Sequence, residues 1–263
     1  MNSRIYKPIF ITGMGRSGTT VLYELFTRHK DTAYLEHYSN KFFNSPNKFR
    51  FIPLLHKYRK IRYGIDRPKP TQGLVYERLF KRFEYIDETD ISQETKKFLF
   101  NAIETELKIF KTNRFVNKSG NHCLRIRWLN ELFPDAYYII IWRDPKAVVS
   151  SSKRRNWPHW SLIKEKFGKD LSDIELCIKH YQFYKNHLLQ DLPLINARCI
   201  EVNYEDLVRD TRRELKRLYD FTELHWYDEI KKDIPEHLEL HNNEKWKTLP
   251  DHEQKLLIKT FPS

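Results

Sequence analysis

The sequence predicts an α/β fold, a central parallel sheet of about five strands flanked by helices. Three observations carry this. Residues 137–142 (YYIIIW) are apolar at every position, as in a strand covered on both faces at the centre of a parallel sheet. Short apolar runs alternate along the chain with segments whose apolar residues recur every three or four positions, the pattern of βα units. One such run, residues 8–12 (PIFIT), opens through a glycine-containing loop into a helix, an arrangement suited to cradling phosphates.

In chain order, the first strand ends at Thr12 and the loop runs Gly13-Met14-Gly15-Arg16-Ser17-Gly18. A helix follows from Thr19, with Val21, Leu22, Leu25 and Phe26 on its apolar face. Residues 33–35 (AYL) read as a second strand, ending at Glu36. From Lys41 to about Pro70 the chain turns basic and aromatic and is broken by Pro46, Pro53, Pro68 and Pro70. Its Lys48, Arg50, Lys57, Arg59, Lys60, Arg62, Arg67 and Lys69 face only Asp66 as an acidic neighbour. This is the start of a partly helical excursion from the sheet spanning about residues 41–112. It closes with a long helix from about Ser92 to Phe110, for which Ser92 and Thr95 offer N-caps.

Residues 114–117 form a third strand leading into Lys118-Ser119-Gly120. The next helix carries Leu124, Trp128, Leu129 and Leu132 and stops near Pro134. The central strand 137–142 ends at Arg143-Asp144-Pro145, and residues 146–152 begin another helix. A fifth strand, 198–202, precedes Tyr204-Glu205-Asp206-Leu207 and a helix to about Phe221. No repeat, low-complexity tract or Gly/Ser-rich linker divides the chain, so residues 1–263 read as a single domain.

With 47 Lys and Arg against 35 Asp and Glu, the chain carries a net charge of +12. That points to an anionic partner: a nucleotide, a sulfated or phosphorylated acceptor, nucleic acid or a membrane surface. Neither zinc-ligand spacing nor an aromatic RNA-binding motif is visible, so no nucleic acid is expected. Cys123, Cys177 and Cys199 stand far apart without a CxxC pair, which suits a reducing compartment and gives no metal set. No leader is visible and no stretch approaches the roughly 20 apolar residues of a membrane span. The expected location is cytoplasmic.

The loop from Gly13 to Thr20 has P-loop spacing, but Thr19 stands where the lysine would be. Glycines still let successive N–H groups turn onto an anion at a helix N-terminus, and Arg16 replaces the missing cation. Hydroxyls of Ser17, Thr19 and Thr20 add donors, while the grip on a γ-phosphoryl group and its Mg²⁺ is lost. A second constellation is Arg143-Asp144-Pro145-Lys146-Ala147-Val148-Val149-Ser150-Ser151. It places an arginine at the carboxyl end of the central strand and Ser151 two helical turns beyond, able to clasp a second phosphate.

Taken together, these segments resemble the sulfotransferase family that uses 3′-phosphoadenosine 5′-phosphosulfate. In that family a GxxRSGTT-type loop holds the 5′-phosphosulfate and an RDPxxVxxS-type segment holds the 3′-phosphate. Asn117-Lys118-Ser119-Gly120, Leu124-Arg125 and Leu132-Phe133-Pro134-Asp135-Ala136 are similar to its "K-T-P … LR … L-FPDA" stretch. Tyr204-Glu205-Asp206-Leu207 matches its "YEDL" segment, and Lys245-Trp246 resembles a late "KW" element that folds back over the donor. The motifs keep family order from residue 9 to about 247. The resemblance implies a P-loop-NTPase-like sulfotransferase fold. It further implies a donor held by Gly15, Arg16, Ser17, Gly18, Thr19, Thr20, Arg143, Ser151, Tyr204, Lys245 and Trp246.

Sulfuryl transfer needs a fixed donor, cations on the leaving oxygens and a base at the acceptor; it requires no metal. Arg16 and Lys118 are the candidates for charge stabilisation. Cytosolic small-molecule members place a histidine two residues after the strand lysine, where this chain has Gly120. Protein-tyrosine and several carbohydrate members use a glutamate at the end of the second strand, which Glu36 resembles. Glu36 is therefore the expected base, with His37 and His122 behind it. The basic stretch 41–69 is the expected acceptor-recognition segment, within the excursion of about 41–112 expected to form part of the acceptor site, and carbohydrate, lipid, peptide tyrosine and small alcohol all stay open as acceptors. Two rival functions are a P-loop small-molecule kinase and a non-enzymatic nucleotide- or polyanion-binding protein.

Overall fold

The computed structural model describes residues 5–42, 45–64, 67, 69–71, 76, 79–155, 159–239 and 243–262; Asp66 and Pro68 lie outside them. Five parallel strands form one sheet: β1 (Ile9–Thr12), β2 (Thr32–Ala33), β3 (Arg114–Lys118), β4 (Tyr137–Trp142) and β5 (Arg198–Asn203), in the order β2-β3-β1-β4-β5. The expected sheet is thus present. The second strand is shorter than its apolar run, because Tyr34 to Glu36 run past the β3 ladder; there the Leu35 carbonyl oxygen accepts from the Thr71 N–H at 2.9 Å.

Helix α1 (Thr19–Thr27) leaves β1 for the β2 edge. Between β2 and β3 lie α2 (His37–Lys41), α3 (Ile52–Tyr63) and α4 (Gln93–Phe110). Helix α5 (Ile126–Leu132) then carries the chain past β1 to β4 on its other side. The winding direction therefore reverses around β1, and the crevice at a switch point opens above its carboxyl end. Helices α6 (Pro145–Lys153), α7 (Trp160–Phe167) and α8 (Asp173–Asp191) separate β4 from β5. Helices α9 (Tyr204–Arg209), α10 (Thr211–Phe221), α11 (Asp228–Asp233) and α12 (Asp251–Thr260) follow.

Alternate residues of each strand feed two cores, one on each face of the sheet. Phe10, Phe115, Tyr138 and Ile140 pack with residues of α4, α5, α6 and α8. Ile9, Ile11, Val116, Ile139, Ile141 and Val202 pack with residues of α1, α9 and α10. Every residue from Ile9 to Ile11 and from Tyr138 to Ile141 is 0% exposed. Burying each isoleucine contributes about 1.5–3 kcal/mol, so the central strands are the rigid base of everything at their carboxyl ends. Local signals set the helix starts. Ser92 accepts from the Thr95 N–H at 3.0 Å to open α4, and Asp144 accepts from the Ala147 N–H at 2.9 Å to open α6, with Pro145 in its first turn.

Candidate active site

The candidate residues lie at or just beyond the carboxyl ends of the five strands: the glycine loop after β1, Glu36 three residues past β2, Lys118 at the end of β3, Arg143 after β4 and Tyr204 after β5. Register fixes part of this. Ile11 lies opposite Lys118 on one side and Ile139 on the other, so the lysine flanks the strand that launches the loop.

The loop is held by backbone conformations that side chains resist. A Cβ on Gly13 (φ 154°) would stand 2.4 Å from the Ile141 carbonyl oxygen, and one on Gly18 (φ 97°) 2.3 Å from the Tyr204 ring. Arg16 takes a positive φ of 75° without being glycine, a strained placement of the kind that clusters at ligand sites. Gly18→Ala is accordingly expected to cost about 1–3 kcal/mol in chemical denaturation. Gly120→Ala, whose Cβ would meet the Gly13 carbonyl oxygen at an ordinary 3.5 Å, should be near neutral. Equal costs for the two would remove the role given to Tyr204 as the wall behind the loop.

Ser17 differs from the expected donor set. Its hydroxyl and its N–H both donate to the Met14 carbonyl oxygen, at 2.7 and 3.1 Å, and it is 1% exposed, so it closes the loop from inside. Gly15, Arg16, Thr19 and Thr20 do line a cavity of about 1100 Å³, together with Lys118 and Gly120. Lys118 Nζ donates to the Thr20 hydroxyl at 3.0 Å. Burial lowers the Lys118 ammonium to about 8; the nearby Glu24 charge opposes the shift and Arg155 adds to it.

A second cavity, about 310 Å³, is lined by Arg16, Arg143, Ser150, Ser151, Arg154, Arg155 and Lys245, with Ala147. Arg16 and Arg155 line both cavities. Arg16 Nε donates to Ser151 Oγ at 3.1 Å, so the two predicted phosphate segments touch. Arg143 Nη1 donates to the Arg16 carbonyl oxygen at 3.1 Å, Nε and Nη2 donate to Asn243 Oδ1 at 2.9 and 2.7 Å, and the guanidinium lies 4.4 Å from the Tyr204 ring centre. Asn243 in turn donates to Glu205. The Arg16 guanidinium is pushed below its usual range by burial and by the charges of Arg155 and Arg143. A cluster of mutually repelling cations around a cavity is what an anion of several charges would relieve. Lys245 reaches this cavity, whereas Trp246 packs half-buried on the core with Lys146 5.6 Å from its ring centre and lines neither cavity.

Glu36 is fully buried and lines neither cavity. Arg59 Nη1 of α3 donates to its Oε2 at 2.9 Å, while Oε1 has no hydrogen-bond partner among the described residues. Beneath it sits a second buried carboxyl, Glu106 of α4, which accepts from Ser39. Burial, opposed by the Ser39 hydrogen bond and aided by the Glu36 charge, raises Glu106 to about 8, so it is largely neutral at pH 7. Glu106 was not foreseen, yet it has a signal: it interrupts the apolar stripe of Ile103 and Leu107 on one helix. His37 is exposed on the surface. His122 is buried between Phe10 and Tyr76 with Nε2 2.8 Å from Asn117 Oδ1, and burial holds it well below the usual histidine range.

The rest of the larger cavity comes from segments that the motifs did not mark. Tyr76, Phe80, Lys81, Arg82 and Phe83 form one wall; His159, Leu162, Ile163, Glu165 and Lys166 of the α7 region, with His180 and Tyr184 of α8, form the other. Asn40 reaches it from α2, but no described residue between 41 and 69 does. Glu165 is the one acid in the lining among the described residues. No group of three or more His, Cys, Asp or Glu among those residues is placed to hold a metal ion.

A family model described as "Sulfotransferase family" matches residues 8–228. The chain belongs to the sulfotransferase family. It is 22% identical over 229 residues to protein-tyrosine sulfotransferase A of Caenorhabditis elegans, covering 84% of this chain and 51% of that protein. It is 26% identical over 241 residues to the omega-hydroxy-beta-dihydromenaquinone-9 sulfotransferase Stf3 of Mycobacterium bovis, covering 81% of this chain and 61% of that one. The chain thus spans about half to three-fifths of the length of these curated relatives. Among solved structures, sulfotransferase STF9 from Mycobacterium avium superposes with a TM-score of 0.60 at 18% identity, covering 97% of this chain and 76% of that one. The sulfotransferase domain from the curacin biosynthetic pathway gives 0.54 at 17%, covering 98% of each chain. These two likenesses bear on the fold.

Proposed function

We propose that this chain transfers a sulfuryl group from 3′-phosphoadenosine 5′-phosphosulfate to a hydroxyl or amine of an acceptor. The observation that carries it is the pair of cation-lined cavities joined at Arg16 and Arg155, one over the glycine loop and one under Arg143 and Ser151. Two separate anion positions on one ligand match a nucleotide phosphorylated at both 5′ and 3′ positions. In this reading Gly15, Thr19 and Thr20 hold the 5′-phosphate, and Arg143, Ser151 and Lys245 the 3′-phosphate. The acceptor oxygen or nitrogen forms its bond to sulfur as the bridging sulfur–oxygen bond breaks. Lys118 and Arg16 meet the charge left on that bridging oxygen. The aromatic wall of Tyr76, Phe80, Phe83 and Tyr184 receives the acceptor body, with Lys81, Arg82 and Lys166 at hand for an acidic one.

The test is transfer of labelled sulfate from this donor to fractionated extracts, alongside melting curves with 3′-phosphoadenosine 5′-phosphate, ATP and Mg²⁺, or heparin. Stabilisation by the doubly phosphorylated nucleotide supports the reading. A response to ATP alone, or to heparin without sulfate transfer, overturns it in favour of a kinase or a polyanion-binding protein.

In this reading Glu36 is the general base, its carboxylate oriented by Arg59 through Oε2; it lines neither cavity, so Oε1 has to come within reach of the bound acceptor to take its proton. Glu36→Gln should lower kcat on the order of a hundredfold or more and leave donor affinity within about twofold. The alternative base is Glu165, favoured by its place in the cavity lining. A loss of kcat in Glu165→Gln with Glu36→Gln fully active would transfer the role to it.

A further inference from the structure

The basic stretch read as an acceptor segment has another use. Its helix, α3, is fastened to the protein along one side: Ile52 and His56 are buried, the His56 ring packs 5.9 Å from that of Phe110, and Arg59 holds Glu36. The opposite side is bare. Leu54, Tyr58 and Ile61 are 66, 56 and 75% exposed, and Phe51 just before the helix and Tyr63 at its end are 45 and 65% exposed. At 3.6 residues per turn, Leu54, Tyr58 and Ile61 fall within an arc of about 60°. Exposed Lys57 and Lys60 border that stripe on one side and Arg62 on the other, with Lys48 and Arg50 at its amino end. Residues 37–64 contain no Asp or Glu.

We propose that α3 docks this protein on an anionic lipid surface, lying in the plane of the interface with Leu54, Tyr58 and Ile61 among the upper acyl chains. An apolar stripe bordered by cations, with Tyr58 within it, matches the layering of a bilayer interface. The uninterrupted positive charge complements lipid phosphates, and the anchored opposite face means that no part of the fold must open for docking. An ordinary solvated helix would place its cations, not three large apolar residues, at the point farthest from the core. Among the described residues no helix is long and apolar enough to cross a membrane, so docking at the surface is the geometry on offer. The proposal does not depend on the sulfuryl-transfer reading.

The test uses the full chain and sedimentation with vesicles of phosphatidylcholine, alone or with about one third phosphatidylglycerol. The protein is expected to bind the anionic vesicles, to ignore the neutral ones, and to be released by about 0.5 M salt. Leu54→Glu with Ile61→Glu should lower binding at least about tenfold. Lys57→Ala, Lys60→Ala and Arg62→Ala together should lower it on the order of a hundredfold. Both variants change exposed positions, so unchanged melting temperatures are expected and certify folding. Absence of vesicle binding overturns the proposal. So does retention of binding by the glutamate variant, which would mean adsorption by charge alone, or mapping of the stripe to an acidic protein partner instead of lipid.

Discussion

Lys118→Met is expected to reduce turnover on the order of a thousandfold while making the free protein more resistant to unfolding. Both effects come from one buried ammonium, 3% exposed, whose proton is held only up to about pH 8. Its usual value is 10.5, and the folded state lowers it. Below pH 8 both folded and unfolded chains carry the charge, and the folded one bears a desolvation cost on the order of 3 kcal/mol. Between about pH 8 and 10.5 the folded chain releases the proton while the unfolded chain keeps it. Stability from this group therefore rises with pH across that window. Methionine removes the cost at every pH, so the melting temperature should rise at pH 7 and the gain should shrink toward pH 10. Activity is expected to follow the opposite sign: in the proposed reaction the charged form meets the leaving oxygen, so kcat should fall as pH rises through about 8. A variant that melts lower than the parent at pH 7 would show that the Thr20 hydrogen bond outweighs the burial of the charge.

Arg143→Ala should weaken 3′-phosphoadenosine 5′-phosphate binding about a hundredfold, with kcat at saturating donor changed only a few-fold. One guanidinium ties the Arg16 carbonyl, Asn243 and the Tyr204 ring together, and so connects β4, the glycine loop and the segment after residue 243. Lysine should not restore affinity, because a point charge cannot serve a fork of donors and a ring face at once. Calorimetry with adenosine 5′-phosphosulfate, which lacks the 3′-phosphate, separates two roles. A large loss for the 3′-phosphorylated ligand and a small one for its counterpart assigns Arg143 to that phosphate. Equal losses would make it a brace for the loop alone.

The parts of the molecule legible in the sequence are those in which one local rule decides. The all-apolar 137–142 run reads as a covered strand, and Gly13 and Gly18 mark a backbone that β-carbons would obstruct. Arg16, Lys118, Arg143 and Ser151 converge because each follows or lies at the carboxyl end of a strand in a parallel sheet. Side-chain direction was less legible. Ser17 sits among the loop hydroxyls in sequence, but its place in the turn sends it to the Met14 carbonyl. Trp246 follows Lys245, yet the 3-10 turn Asn243–Thr248 sends the two to different surroundings. The wall proposed for the acceptor was legible only in part. Tyr76 and residues 80–83 fall inside the excursion 41–112, whereas the side chains from α7 and α8 carry no motif and join them only through tertiary packing. Of the cations in residues 41–69, Lys57, Lys60 and Arg62 lie on exposed positions of α3, while Arg59 turns inward to Glu36 and Arg67 to the backbone carbonyls of Thr27, His29 and Thr32.

Arg16 and Arg155, shared by the two cavities, have a kinetic consequence. On the proposed donor, the groups held under Arg143 and over the glycine loop are phosphates that stay on the nucleotide after the sulfuryl group has left. Most of the binding energy is then the same before and after the reaction, which lowers KM without helping the chemical step. The spent nucleotide should leave slowly, and its residence time, not bond breaking, should set the pace of each cycle. A burst of sulfated product equal to the enzyme concentration, followed by a slower steady rate, is the signature this shared pair of arginines would leave in rapid-mixing traces.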